Sequence, residues 1–153
     1  MTLGSIPPSI GRMRFAGLAV LFLLASLGGA QAAELTITID GIRNDRGHVM
    51  LTVYGSAEEW LKESPSEHDR SLKAGSGSVA VTLDLPPGTY AAAAYQDEND
   101  NGQFDRNFIG IPLEGYAFSN GARPFLFTAP RFAAASFTLP PEGATIHMRM
   151  VYW

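Results

Sequence analysis

The segment Asp97-Glu98-Asn99-Asp100-Asn101-Gly102-Gln103-Phe104-Asp105 sets oxygen-bearing side chains at alternate positions, a glycine at the sixth and a carboxylate at the ninth. That is the spacing D-x-[DN]-x-[DN]-G of a calcium loop. A chain wrapped around a hard cation points every second side chain inward, and the sharp turn midway favours a residue tolerant of φ > 0. The expected ligands are the side chains of Asp97, Asn99, Asn101 and Asp105 with the backbone carbonyl of Gln103. Position twelve is Phe108, so the bidentate glutamate of an EF-hand is missing. Glu114, brought back by the turn Gly110-Ile111-Pro112, is the natural replacement. A plainer reading stands beside this one. The same side chains can bond their own backbone in Asx turns, with Glu114 serving as a salt-bridge or capping group.

Other chemistry finds little support. His48, His68 and His147 show no H-x-x-x-H spacing for zinc, Ser119 lacks a G-x-S-x-G context, and there is no cysteine. Tyr116, Phe118 and Phe125 or Phe127 could line a groove or simply plug a loop onto the fold. A hydrolase acting on carbohydrate, with Asp97, Asp105 or Glu114 as acid and base and Tyr116 as a platform, is the enzymatic alternative. It requires a desolvated carboxylate, and the polar loop offers little to bury one.

The elements that must position this loop read as strands. Leu35, Ile37 and Ile39 alternate with polar residues, as do Val49, Leu51 and Val53 across the turn Arg43-Asn44-Asp45-Arg46-Gly47, which predicts a hairpin. Ser56-Ala57-Glu58-Glu59 fits a capping box and predicts a short helix carrying Trp60 and Leu61. Ser64 to Gly77 reads as a loop. Val79 to Leu85, Tyr90 to Tyr95, Phe132 to Leu139 and Ile146 to Tyr152 supply further strands, and the acidic loop leaves the end of the Tyr90–Tyr95 strand. Arg106 to Pro130 has little periodicity, and connections this long in compact domains usually carry function. The expected fold is all-β: an antiparallel sandwich of about seven strands, with Ile37, Ile39, Leu51, Val53, Val81, Leu83 and Met148 in its core and His147 on an outer face.

The N-terminus reads as a signal peptide over residues 1–32. Arg12 and Arg14 precede the apolar run Phe15 to Leu27, and Ala30-Gln31-Ala32 is a cleavage site. A periplasmic or secreted domain of residues 33–153 is expected, held by packing without disulfides. Removing Arg12 and Arg14 from the 11 Lys and Arg leaves nine against 15 acids, a net charge of −6. That balance argues against nucleic acid and anionic membrane surfaces as partners, and mildly for a cation.

Three stretches together resemble one family. Pro87-Gly88-Thr89-Tyr90, then Asp97 to Asp105, then Gly110-Ile111-Pro112-Leu113-Glu114-Gly115-Tyr116-Ala117-Phe118-Ser119-Asn120 are similar to the domain of unknown function 2141. Leu113 departs from it where the pattern carries a small polar residue. The resemblance implies bacterial exported proteins with an immunoglobulin-like or transthyretin-like sandwich and no established activity. The functional expectation is a non-enzymatic exported domain with a calcium-stabilised loop, serving binding or cell-envelope structure.

Overall fold

A computed structural model describes residues 31–62, 64–125 and 128–153. The expected signal-peptide core and Phe127 lie outside them. The chain folds as two sheets around one core. Strand β1 (Ala33–Ile42) sits centrally in a three-stranded sheet between β4 (Gly77–Leu85) and β8 (Ala144–Arg149). The larger sheet runs β3 (Arg70–Lys73), β2 (His48–Tyr54), β5 (Gly88–Asp97), β6 (Tyr116–Phe118), with β7 (Phe137–Leu139) on the first part of β5.

Period-two alternation builds the core directly, because successive side chains of a strand face opposite ways. Leu35, Ile37 and Ile39 point inward beside Leu83, Val81 and Val79 of β4 and Ala144, Ile146 and Met148 of β8. Across the gap, Val49, Leu51 and Val53 of β2 face in beside Ala94 and Ala92 of β5. Each large aliphatic buried here stabilises by roughly 1.5–3 kcal/mol relative to exposure. Of the expected core only Val81 is half-buried; it sits on edge strand β4, which has a neighbour on one side only.

Several expectations change. β1 and β2 form no hairpin; they belong to different sheets. The register slips between Asp40 and Ile42, where Gly41 at φ +78° makes a bulge and the chain crosses to the other layer. β1 and β8 pair in parallel, so the sandwich is mixed rather than purely antiparallel. The Ser64–Gly77 loop contains strand β3, whose alternation is too short and polar to register.

The helix expected at Ser56 is only a turn. Ser56 Oγ accepts the Glu59 N–H at 3.3 Å, half of a capping box, but Leu61 at φ +58° ends the winding at once. So short a segment does not recover the cost of nucleation. A turn of α-helix, α1, lies instead at Phe132–Ala135, the start of the expected fifth strand, which shrinks to β7. No described helix is long and apolar enough to cross a membrane.

Candidate functional site

Strand β5 ends at Asp97, whose carboxylate is buried and turned back on the loop that follows. Its oxygens accept the N–H groups of Asn101 at 3.1 Å and Gly102 at 2.7 Å. Asn99 Oδ1 accepts the Asn101 N–H at 3.2 Å, and Asn101 Oδ1 accepts the Gln103 N–H at 2.8 Å. These Asx bonds wind the chain tightly, with Asp100 at φ +57° and Gly102 at φ +73°. Asn99 Nδ2 and Asn101 Nδ2 then both donate to Asp105 Oδ2, at 2.8 and 2.9 Å.

Glu114 closes the loop. Its carboxylate accepts the Glu98 N–H at 3.2 Å through one oxygen and the Asp105 N–H at 3.1 Å through the other. The structure therefore brings together all six residues singled out from the sequence, Gln103 through its backbone N–H. The shared centre is negative. Burial pushes the Glu114 carboxyl above its ordinary value, with the charges of Asp105 and Asp97 adding to the rise and the two N–H bonds opposing it. The Tyr95 phenol is raised by burial first, then by Asp97, Glu114 and Asp105.

The residues meet one requirement for a cation and leave another open. Asn99, Asn101 and Asp105 side chains converge on one point, as coordination demands. As oriented, however, the two amides present N–H to that point. An ion would need both to turn and offer oxygen instead. Among the described residues no three His, Asp or Glu side chains group as metal ligands, so calcium would lean on these amides.

The loop's flank holds partners the spacing did not reveal. Glu98 receives Arg43 Nε at 2.6 Å and lies 3.4 Å from Arg46. Asp100 bonds His48 Nδ1 at 2.6 Å. Fully buried Gln96 donates to the Asn44 and Arg46 carbonyls and to Asn44 Oδ1. Ser119, considered only as a nucleophile, is a structural hub: its hydroxyl bonds both backbone groups of Ala92 and the Ala135 carbonyl. Only the preceding resemblance to S-N at that position hinted at it.

Beside the loop, aromatic rings cover the outer face of the larger sheet. Tyr95, Phe104, Tyr116 and Phe118 follow one another at centroid separations of 5.5, 6.2 and 5.8 Å, and Phe118 continues to Trp60 at 5.9 Å. Trp60 is pinned by its indole N–H on the Pro130 carbonyl at 2.8 Å. Phe104, Tyr116 and Phe118 floor a cleft walled by Arg106, Gly110, Pro112, Pro124, Ala129 and Trp153. Tyr116 and Phe118 thus both anchor the long excursion and line a groove, while Phe125 stands exposed at its margin.

A two-sheet β domain with an Asx-wound acidic loop and a G-I-P-L-E-G-Y segment returning to close it defines the class. The chain belongs to the bacterial family described as "Uncharacterized protein conserved in bacteria (DUF2141)", whose profile matches residues 37–147. No curated protein and no solved structure matches it.

Proposed function

We propose that this chain is an exported, non-enzymatic domain of immunoglobulin-like or transthyretin-like type, serving binding or cell-envelope structure. The observation that carries the non-enzymatic reading is the double engagement of Glu114: each oxygen accepts a backbone N–H. A general acid must turn its proton towards substrate, and a base must be free to accept one. Glu114 and Asp97 are both committed to the loop backbone, which favours a clamp over the carbohydrate-hydrolase alternative. Incubation with polysaccharide substrates, releasing no reducing ends, is the expected outcome; release that is lost in Glu114→Gln would restore the enzymatic reading.

We further propose that calcium tightens this clamp, held by Asp97, Asn99, Asn101, Asp105, the Gln103 carbonyl and Glu114. The convergence of Asn99 and Asn101 on Asp105 supports it. With few charged ligands the expected affinity is in the ~10⁻⁴–10⁻³ M range of extracellular modules. Saturation at a hundredfold over Kd would add about 2.7 kcal/mol. The melting temperature should rise with millimolar calcium, and the rise should vanish in Asp97→Ala and Asp105→Ala but persist in Asp84→Ala. Identical melting in chelator and in excess calcium would leave the Asx closure alone.

A further inference from the structure

We propose that the cleft-bearing end of the molecule docks on the surface of a bilayer containing anionic lipid. Phe108, Ile109, Phe125 and Trp153 would enter the interface, and Arg106, Arg123 and Arg149 would meet headgroup phosphates. The inference goes beyond the clamp and is independent of calcium.

The large hydrophobic side chains that stand exposed among the described residues are not scattered. Phe108 (98% exposed), Ile109, Leu113, Phe125 (78%) and Trp153 (68%) all adjoin or line the one cleft described above. Phe108 and Ile109 precede its Gly110, Leu113 follows its Pro112, and Phe125 follows its Pro124. Concentration of this kind marks an interaction surface, whereas single exposed apolar residues are ordinary.

Two features favour a bilayer over a protein partner. The first is backbone satisfaction. At the first tip Asn107 N–H bonds the Ile111 carbonyl and Gly110 N–H bonds the Asn107 carbonyl, both at 2.9 Å. Asn107 Oδ1 takes the N–H groups of Ile109 and Ile111 at 3.1 and 2.9 Å. At the second tip Phe125 and Thr128 exchange two 3.0 Å backbone bonds. Tips that satisfy most of their own polar groups can enter a poorly hydrated interface at low cost. The second feature is protrusion. Phe108 projects from its turn rather than lining the cleft, and a peptide seated in the cleft would leave it in water. A bilayer needs no matching pocket.

Charge fixes the kind of bilayer. Among the described residues Arg106, Arg123 and Arg149 have no carboxylate in ion-pair range, while two acids of the neighbouring loop do have partners: Glu98 with Arg43 and Arg46, Asp100 with His48. Arg106 lies 5.1 Å over the Phe104 ring, leaving its guanidinium edge available. This end thus presents three arginines outside ion-pair range of any described carboxylate, although the mature chain is acidic overall.

Flotation of the cleaved chain with vesicles tests this. Phosphatidylcholine vesicles are compared with vesicles containing an equal part of phosphatidylglycerol. Binding should be about a hundredfold tighter to the anionic set, the worth of three arginines near such a surface, and should weaken with salt. Phe108→Ser with Phe125→Ser should abolish flotation, and both sites are exposed enough to leave melting unchanged. Arg106→Gln, Arg123→Gln and Arg149→Gln together should erase the lipid preference. No flotation by the unaltered chain, or flotation untouched by these variants, would overturn the proposal. An acidic apolar peptide held in the cleft by a chain that ignores vesicles would make the surface a protein-docking site instead.

Discussion

The Tyr152 hydroxyl donates to Gln96 Oε1 at 2.5 Å, joining the C-terminal segment to the middle of the larger sheet across 56 residues. The same hydroxyl accepts the Arg43 N–H at 3.2 Å, and the Arg43 guanidinium lies 4.4 Å over the Tyr152 ring. Gln96 is fully buried and its amide is spent on Asn44 and Arg46. One tyrosine thus closes a polar network between the two layers.

Tyr152→Phe leaves the Gln96 carbonyl without its donor. A buried acceptor stranded in this way costs about 1–3 kcal/mol. Urea unfolding should show that loss with an unchanged slope. A variant as stable as the parent would mean that water replaces the phenol.

Two glycines differ in what opposes a side chain. A Cβ at Gly47, at φ +66°, would stand 1.7 Å from the Asp97 carbonyl oxygen, a backbone atom where the acidic loop begins. Gly47→Ala should cost on the order of 4–5 kcal/mol, the extreme of single substitutions, or prevent folding. At Gly115 the obstacle is the Tyr152 ring, at 2.2 Å. Gly115→Ala should therefore cost less in a Tyr152→Ala background than alone, and additive losses would contradict the contact.

Leu83 and Val81 share a strand face but not a depth. Leu83→Ala should cost on the order of 2–5 kcal/mol, as a buried leucine does. Val81, half-buried on the same edge strand, should cost clearly less when replaced by alanine. Equal losses measured by chemical denaturation would place the core boundary elsewhere.

The Glu114 carboxyl is raised, chiefly by burial. Between its unfolded and folded values the folded chain therefore binds more protons than the unfolded chain. Stability from this group is full below the unfolded value and is lost as pH rises through the folded one. In chelator, melting profiles should carry that fall above the ordinary glutamate range, and Glu114→Gln should flatten it. Parallel profiles for the two proteins would refute the assignment.

Strand existence was legible wherever Leu35, Val49 or Val79 began a period of two. Pairing was not, because β1 takes its partners β4 and β8 from 35 or more residues away and not from across the turn next to it. β6 was hidden for a related reason. Tyr116, Ala117 and Phe118 are all at least half-buried, with inner-face contacts on one side and the aromatic cover on the other, so no alternation survives. In the acidic loop the spacing picks out Asp97 to Asp105, residues that the structure joins by hydrogen bonds, with Glu114 accepting the Glu98 and Asp105 N–H groups. It could not say that Asn amides would face Asp105 with nitrogen, since rotation about one bond leaves the sequence unchanged. Net charge is a sum and carries no placement: Glu98 meets Arg43 and Arg46, while Arg106, among the described residues, has no carboxylate in ion-pair range.

The parallel union of β1 with β8 sets Leu35 beside Ala144 and Asp40 beside Arg149. The smaller sheet thus has its centre at the start of the domain and one of its two sides near the end. A growing chain cannot assemble it, because the closing strand has not yet been synthesised. Contacts this distant in sequence also slow folding once the chain is whole. On the export reading proposed above, that delay would keep the polypeptide threadable until it has crossed the membrane.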